Sequence, residues 1–468
     1  MEHDIGHLKL DGLRQSSVPE TEPHLDQGHP THHPAESIAP PNPLQLLLDL
    51  SRRGDVVSFD SNGYGAAYLV NHPEYVAQVL NSKNYQRAAL PQRVLGRGLV
   101  VTDGPFWQKR RRLMAPVFQQ KRIDAFGPLI DETTSAMLDR WQSFSQRNEP
   151  VLASAELARL TLTIIGRTLF SVDLTERAIA ITASVTALIR DLGESACTLF
   201  GAPLSYTPFR LQQFRAAIQT LDETAYDLIN ERRQRTAKPA DLLSLLMDAR
   251  DPETGDALTD NDVRDEVVTM LIAGHENTAL MLAWTLYLLG THPDAERRFY
   301  DEVDDVLEGR TPTVNDLPRL AYSHMVLQES LRLYPPIWQI SRKALADDTI
   351  GGCCIPAGAA VVVSAYAMHR HPDYWDHPEQ FLPDRFAASP SPSESRHRLT
   401  YFPFGGGPHH CIGDYFAMME AQLILVTLAQ RFRFQLVSSH QVEPEAVMTL
   451  RPRHGVLVML EPRNAKSL

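Results

Sequence analysis

A single cysteine near the C-terminus ends a glycine-rich loop, and this pattern could hold a soft metal ion. The segment reads Phe404-Gly-Gly-Gly-Pro-His-His-Cys411-Ile-Gly413. Glycines let the backbone fold closely around a sulfur atom and point N–H groups at it. An apolar helical pattern follows, so we expect Cys411 in the first turn of a helix, where the helix dipole favours a thiolate. A thiolate in such a pocket is suited to be the axial ligand of heme iron.

Two other interpretations of this segment are open. One is a buried structural cysteine in a glycine-rich turn. The other is a zinc site made by His409, His410 and Cys411. The zinc interpretation fits less well, because tetrahedral sites usually space neighbouring ligands by about two to four residues.

A second chemical pattern lies inside a long helical stretch, from about Asp262 to Leu289. Its middle reads Ala273-Gly-His-Glu276-Asn-Thr278. The glycine weakens a helix by up to ~1 kcal/mol relative to alanine, and an unpaired carboxylate is costly to bury. Small residues suit a flat cofactor lying against the helix, and polar residues suit proton delivery. The alternative is a kinked helix with a buried structural ion pair.

The bulk composition describes an ordinary globular protein. The chain has 468 residues, 43% apolar and 22% charged, with a net charge of −12 that gives no indication of nucleic-acid binding. Its four cysteines, which include the adjacent turn residues Cys353 and Cys354, make no disulfide framework, so a reducing cytoplasm is the expected compartment. The sequence has no apolar run of about 18 residues, so no integral membrane segment is expected.

The chain is expected to form one domain, residues 41–468, after a disordered polar tail, residues 1–40. Histidines in this tail could bind metal adventitiously. The fold class predicted is mainly α with a small β-rich part. Helices are expected from Pro105 to about Arg310 and from Leu320 to Leu333, where Pro335 and Pro336 end the pattern. Strands are expected at four segments: Val56–Phe59, Ala67–Val70, Ala359–Val363 and Val456–Leu460.

The cysteine segment resembles the heme-binding signature of the cytochrome P450 family, Phe-x-x-Gly-x-Arg/His-x-Cys-x-Gly. The matching positions are Phe404, Gly407, His409, Cys411 and Gly413. The resemblance implies a single triangular domain of the soluble, bacterial type. It also implies heme b as cofactor, with Cys411 as the iron ligand and the adjacent Gly405 in the cofactor-binding loop.

The segment from Ala273 to Thr278 is similar to the family's Ala/Gly-Gly-x-Asp/Glu-Thr-Thr motif. This likeness implies that Ala273 and Gly274 lie against the heme where dioxygen binds, and that Glu276, with Asn277 or Thr278 and water, relays protons. Asn277 stands where the family usually has threonine. An amide can hold a water, but it cannot rotate a single hydroxyl proton. Thr278 lies about 100° further round the helix, toward the substrate or a neighbouring helix.

Two further sets of residues resemble family positions. Glu329 and Arg332 match a Glu-x-x-Arg motif, and Arg385 lies in a matching aromatic-Pro-acid-Arg-Phe segment. The resemblance implies that these three form a buried structural triad that fixes the cysteine loop; alone, such a pair is usually on the surface. The other set is implied to bind the two heme propionates and comprises Trp107, Arg111, Arg342 and His409.

The function implied is a heme-thiolate monooxygenase that hydroxylates or oxidises a hydrophobic small molecule, a terpenoid or fatty acid, with O2. No glycine-rich nucleotide loop follows a strand, so electrons from NAD(P)H are expected through a ferredoxin (or flavodoxin) and its reductase. Lys109, Arg110 and Arg112 form either a docking patch for that donor or a solvated helix face. By family analogy, the substrate pocket is expected to draw on residues 87–99, 192–209, 271–278, 337–340 and 447–448.

Three alternatives remain. The first is a heme-thiolate enzyme that uses peroxide directly or does not hydroxylate. The second is a non-catalytic heme-binding sensor. The third is a heme-free scaffold or interaction protein.

Overall fold

A 32-residue helix, α11 (Asp260–Thr291), is the element around which most other helices pack. It begins in a capping box, in which the Thr259 hydroxyl accepts the Asp262 N–H and the Asp262 carboxylate accepts the Thr259 N–H. Side chains are buried on most of its circumference, which explains its near-continuous apolar composition. Helix α11 therefore provides a rigid support for the polar residues at its middle.

The computed structural model describes residues 42–61, 65–87, 92–197, 208–250, 255, 257–387 and 398–463. The predicted polar tail, residues 1–40, lies outside them. The other helices are α1 (Pro43–Ser51), α2 (Pro73–Asn81), α3 (Gln92–Leu95), α4 (Gly104–Met114), α5 (Gln120–Asp124), α6 (Gly127–Gln146), α7 (Ala153–Leu169), α8 (Ala178–Cys197), α9 (Pro208–Gln234), α10 (Leu242–Asp248), α12 (Pro293–Leu307), α13 (Ala321–Leu333), α14 (Ala365–Met368) and α15 (Asp414–Arg431).

Twelve strands form four small sheets in the described part of the chain. They are β1 (Val56–Asp60), β2 (Ala66–Val70), β3 (Tyr85–Arg87), β4 (Val151–Leu152), β5 (Ile340–Ala344), β6 (Asp348–Ile350), β7 (Cys353–Ile355), β8 (Ala360–Val363), β9 (Phe432–Leu436), β10 (Pro444–Ala446), β11 (Leu450–Pro452) and β12 (Leu457–Pro462). The largest sheet has the order β1-β2-β8-β5-β3, and β2 and β8 are its parallel pair. The pairing of β3 with β5 sets Arg87 directly opposite Arg342.

The predicted fold class, mainly α with a small β-rich part, is confirmed. Helix α13 ends at Leu333, one residue before Tyr334-Pro335, as proline disfavours helix in the residue that precedes it. Cys353 and Cys354 are free thiols in the β6–β7 hairpin. Within the ranges that the structure describes, no helix is both long and apolar enough to cross a bilayer.

Candidate active site

The cysteine loop is folded tightly by its own backbone. The Cys411 N–H donates to the Phe404 carbonyl at 2.9 Å, and the Gly405 N–H donates to the Phe402 carbonyl at 2.9 Å. Gly405 has φ +73° and Gly407 has φ +65°, a left-handed conformation that favours glycine. A Cβ on Gly407 would also lie 2.5 Å from a backbone carbonyl at the end of α2. A larger residue would therefore strain the backbone at both positions and would also clash at Gly407.

Helix α15 begins at Asp414, with Gly413 as its N-cap. Cys411 therefore lies three residues before the helix, and the prediction that it lies in the first turn is wrong. The 3₁₀ turn at Gly407–His409 and the extended His410 delay the start of the helix. Cys411 is an exposed residue. Desolvation by the groups around it raises the pKa of its thiol, and the Gly413 N–H opposes this by donating toward the sulfur. A coordinated metal cation deprotonates a thiol outright, so the loop alone need not make the thiolate.

The three residues of the predicted triad meet in the core. Glu329 accepts from Arg332 through two hydrogen bonds of 2.7 and 2.8 Å, and from Arg385 Nε at 2.9 Å. Glu329 and Arg332 are fully buried, so the bidentate geometry compensates for the desolvation of both charges. The structure thus brings all three side chains together.

His369, which the sequence analysis did not identify, joins this triad to the cysteine loop. Arg332 donates to the His369 carbonyl at 2.8 Å, and the His369 ring accepts the Phe402 N–H at 3.0 Å. Burial lowers the pKa of His369 to about 3, so the ring stays neutral and keeps an acceptor nitrogen. Phe402 in turn accepts from Gly405, the second residue of the cysteine loop. His369 lies in an irregular, proline-rich segment, and the sequence there gave no signal for its contact with the Phe402 N–H.

A cationic cluster lies near the cysteine loop. Arg87, Arg111 and Arg342 are close enough that Arg342 and Arg111 both lower the pKa of Arg87, which burial brings to about 10. Asp103 is the carboxylate beside them; it accepts the Arg87 N–H at 2.9 Å and lies 3.0 Å from His409 Nε2.

Trp107 packs its ring 4.3 Å from the ring of His409, which is how α4 meets the loop. The four residues that the sequence assigned to the propionates, Trp107, Arg111, Arg342 and His409, therefore lie in one region.

The cluster has the charge and the free donors that a dianionic ligand needs. Three guanidiniums and one carboxylate leave a local excess of about two positive charges at neutral pH. Arg342 is buried, yet the one hydrogen bond of its side chain among the described residues goes to the carbonyl of Ser341. The Arg111 guanidinium has no hydrogen-bond or ion-pair partner within the described ranges, and its charge is favoured by Cys411 and Asp414. Buried cations in this state fit the two propionates of heme, with Cys411 as the thiolate donor.

Removing one of these cations tests the fit. We expect Arg342→Met to release hemin about 10- to 100-fold faster, because it removes charge-assisted hydrogen bonds to a partly buried carboxylate. The measurement is the rate of hemin transfer to apomyoglobin. Lys343→Met is the matched control, since Lys343 is the next residue on β5 and is exposed. Equal transfer rates for the two variants would contradict the placement of an anionic group at Arg342.

The three polar residues at the middle of α11 point in different directions. Glu276 faces the segment before β11, where the Thr449 hydroxyl donates to it at 3.4 Å, and its other oxygen is buried without a partner. Burial raises the pKa of Glu276 to about 8, while Arg451 opposes the shift. Asn277 donates to the Ala273 carbonyl at 3.0 Å and keeps a buried, unpartnered Oδ1. Thr278 is buried on the side of α15.

The structure gives a reason for glycine at position 274 that the sequence alone did not suggest. A Cβ on this residue would lie 2.9 Å from the Ile165 side chain of α7, the helix in closest contact with α11. A larger residue here would therefore need the Ile165 side chain to shift, so helix packing favours glycine at this position. Ala273 is partly exposed, next to Gly274 on the same helix.

A second buried acid, Glu420 of α15, was also missed. It is fully buried, its pKa is raised well above the usual value by burial, and the Thr278 hydroxyl opposes this shift. A carboxylate in an otherwise apolar helical run was the available signal. Arg87 and Asp103 carried no such signal, because strand pairing brings them to the cluster from separate parts of the chain.

The predicted pocket segments lie only partly within the described ranges. Residues 88–91 and 198–207 fall outside them. Gly193 of α8 packs directly on the tip formed by Val447 and Met448, since a Cβ there would be 2.3 Å from the Met448 nitrogen. Ile337 exposes apolar surface in one predicted segment, and Val447 is an apolar residue in another. The described segments also include the charged residues Arg87 and Arg97.

The predicted basic patch is wrong at Arg110. Arg110 is 3% exposed and forms ion pairs with Asp262 and Glu266 of α11. Helix α4 packs against other elements on more than one side, so the face opposite Trp107 is not all solvated. Arg112 is exposed, and Lys109 is half-buried.

The family model described as Cytochrome P450 matches residues 38–463, so this chain belongs to the cytochrome P450 family. It is a heme- and O2-using monooxygenase of that family.

Two relatives from Streptomyces melanosporofaciens are similar to it. Cyclooctat-9-en-7-ol 5-monooxygenase is 38% identical, covering 84% of this chain and 86% of its own. Cyclooctatin synthase is 35% identical, covering 90% and 92%. The crystal structure of the cytochrome P450DA heme domain has a TM-score of 0.80 and 28% identity, covering 90% of this chain and 94% of that one.

Proposed function

We propose that this protein oxidises a cyclic terpenoid with O2, at heme bound between Cys411, the cationic cluster and α11. The observation that supports the substrate class is the likeness to two terpenoid-oxidising relatives over more than four-fifths of the chain. Apolar residues at two expected pocket positions, Ile337 and Val447, agree with such a substrate. A fatty acid, the other class predicted from the sequence, has no such support.

The protein residues bind and orient the cofactor in this proposal. Heme bound here supplies the oxidising chemistry that places one oxygen atom of O2 in the substrate. Cys411 holds the iron, and Phe404, Gly405 and Gly413 shape the loop around its sulfur. Trp107, Arg111, Arg342 and His409, joined by Arg87, hold the propionates. The triad of Glu329, Arg332 and Arg385 keeps the loop in place.

Proton supply is assigned to α11. A carboxyl with a pKa of about 8 is mostly protonated at pH 7, so Glu276 carries a proton at the middle of an apolar helix. The Thr449 hydroxyl lies at hydrogen-bonding distance, and Arg451 favours the carboxylate that forms when the proton leaves. The unpartnered Oδ1 of Asn277 can hold a water beside it. Thr278 contributes from the α15 side.

Electrons are proposed to come from NAD(P)H through a ferredoxin and its reductase. Exposed cations occur at Arg112 on α4 and at Lys121 and Arg122 on α5. Helix α5 contacts α15 through Gln120 and Asp124, which both hydrogen-bond the Tyr415 hydroxyl. We place the docking surface for an acidic donor on these three cations. The catalytic domain is proposed to be residues 41–468.

The function is tested by adding cyclic terpenoids and long-chain fatty acids to the heme-loaded protein. We expect terpenoids to displace the iron-bound water, seen as a change of spin state, and fatty acids to leave the spectrum unchanged. The ligands that respond should then yield oxygenated products with ferredoxin, reductase and NADPH, at a rate that falls with added salt.

Three results would contradict parts of this proposal. Binding of fatty acids alone would overturn the substrate class. Turnover with hydrogen peroxide but not with the ferredoxin system would favour the peroxide-driven alternative and overturn the donor assignment. A heme-loaded protein that binds no apolar compound and forms no product would favour a sensor.

A further inference from the structure

The segment from Leu95 to Val101, called here the clasped segment, is held on α11 by two neighbouring acids. The Arg97 N–H donates to Asp265 at 2.7 Å, and the Leu99 N–H donates to Glu266 at 3.0 Å. Two N–H groups of one stretch of turns are thus bound by consecutive carboxylates of a helix. Charge-assisted bonds of this kind are about twice as strong as neutral ones.

Two glycines permit this close approach. Gly96 has φ +52°, and a Cβ there would lie 2.0 Å from the Asp265 carboxylate. A Cβ on Gly98 would lie 2.0 Å from the Thr269 hydroxyl oxygen. The clasped segment therefore fits α11 only with glycine at both positions.

The same segment reaches the cationic cluster. The Leu99 and Val100 carbonyls accept hydrogen bonds of 2.7 and 2.5 Å from Arg87 Nη1. Arg87 is also bound to Asp103 at the cluster. One residue, Leu99, thus connects Glu266 through its N–H and Arg87 through its carbonyl, which couples α11 to the site proposed for the propionates.

The charges around Glu266 are unbalanced. Arg110 of α4 is shared between Asp262, its nearer partner, and Glu266, 3.9 Å away. Asp265 adds a third carboxylate on α11, while Arg97 on the clasped segment stacks over Phe106 at 4.0 Å. Glu266 is fully buried with one oxygen unpartnered, and Arg110 Nη1 is also unpartnered. Arg264 of α11 pairs with Asp265 at 2.9 Å and is shared with Asp222. Arg110 is therefore the one cation among the described residues within ion-pair distance of Glu266, and burial raises the pKa of Glu266 to about 7.

We propose that Glu266 is a positioning residue: as a carboxylate it holds the clasped segment on α11 and Arg87 at the cationic cluster, and when protonated it releases both. The sign follows from its hydrogen bonds, because the carboxylate accepts the Leu99 N–H and attracts Arg110 more strongly than the neutral acid does. The segment is held above neutrality and loosened below it. The link to heme rests on the proposed function, whereas the link between Glu266 and the segment does not.

The test is amide hydrogen exchange of the peptide spanning residues 92–103, in the purified heme-loaded protein between pH 6 and 8, corrected for intrinsic exchange. In the wild type we expect protection at Leu99 to fall about tenfold as pH decreases through 7, the loss of a charge-assisted bond. Glu266→Gln should show the low protection at every pH, since its side chain stays neutral. Arg110→Gln should move the midpoint to higher pH, because it removes the cation that favours the carboxylate.

Glu302→Gln is the matched control, since Glu302 is also a partly buried acid that accepts backbone N–H bonds, from Tyr322 and Ser323. It should reproduce the wild-type profile. A pH step that persists in Glu266→Gln, or that does not move in Arg110→Gln, overturns the proposal. The Soret spectrum of the same samples reports the proposed function separately: loss of heme binding with an intact pH step would refute the heme site and leave the role of Glu266 standing.

Discussion

Replacing Cys411 with alanine is expected to abolish the thiolate-type spectrum of the reduced, carbon-monoxide-bound protein. The Cys411 N–H is tied to Phe404 and its sulfur faces the Gly413 N–H, so among the described residues this thiol is the one that the glycine loop presents. Loss of outer-shell partners of a metal typically costs about 10- to 100-fold, so loss of the ligand should reduce oxygenation by at least about 100-fold. The spectrum and product formation measure both effects.

Cys354 offers a control for this variant. It is an exposed free thiol in the β6–β7 hairpin, far in sequence from the loop. Cys354→Ala should keep the wild-type spectrum and rate. If Cys411→Ala binds too little heme to be measured, Cys411→Ser keeps the size of the side chain and should give the spectrum of an oxygen- or water-ligated heme. A thiolate spectrum in either Cys411 variant would refute the ligand assignment.

Replacing Glu276 with glutamine is expected to slow product formation by about 100-fold at pH 7, with peroxide released in place of product. Glutamine keeps the shape and the contact with Thr449 but cannot give up a proton to the site. Heme content should not change, because Glu276 contacts the segment before β11 and none of the cluster cations. Product formed per O2 consumed is the measurement.

The pH profile separates this role from a structural one. The pKa of Glu276 is raised to about 8, so the protonated form is lost as pH rises through 8. Product per O2 in the wild type should therefore fall above that pH, whereas Glu276→Gln should be low and flat. Glu302→Gln, which changes another acid of raised pKa, should keep the wild-type profile. A normal yield in Glu276→Gln would remove this residue from the proton route.

Local patterns were enough to predict much of the fold. A long, mostly apolar stretch located α11, and the diproline after Tyr334 located the end of α13. Spacing also placed Glu329 and Arg332 on one face of a helix, where the structure has them. These features depend on residues close together in the chain, which is why a sequence can show them.

Features that depend on packing between distant elements could not be predicted. Arg87 joins the cationic cluster because β3 pairs with β5, and its own neighbours in sequence give no sign of this. The prediction that Arg110 lies on a basic, solvated face of α4 failed because its side chain forms ion pairs with α11. The sequence related Gly274 to a flat cofactor, and the structure adds a contact with Ile165 that no local pattern shows. In each case a contact between distant elements was needed.

The guanidinium groups of the triad have a consequence for cofactor insertion. Arg332 donates to the carbonyls of three residues in an irregular segment, and Arg385 donates to two more: His369, Pro378 and Gln380, then Asp376 and His377. These two side chains replace the backbone ladder that the segment lacks. Protein groups alone therefore order the segment that supports the cysteine loop, so the apoprotein is preorganised there and little chain entropy is lost when the porphyrin enters.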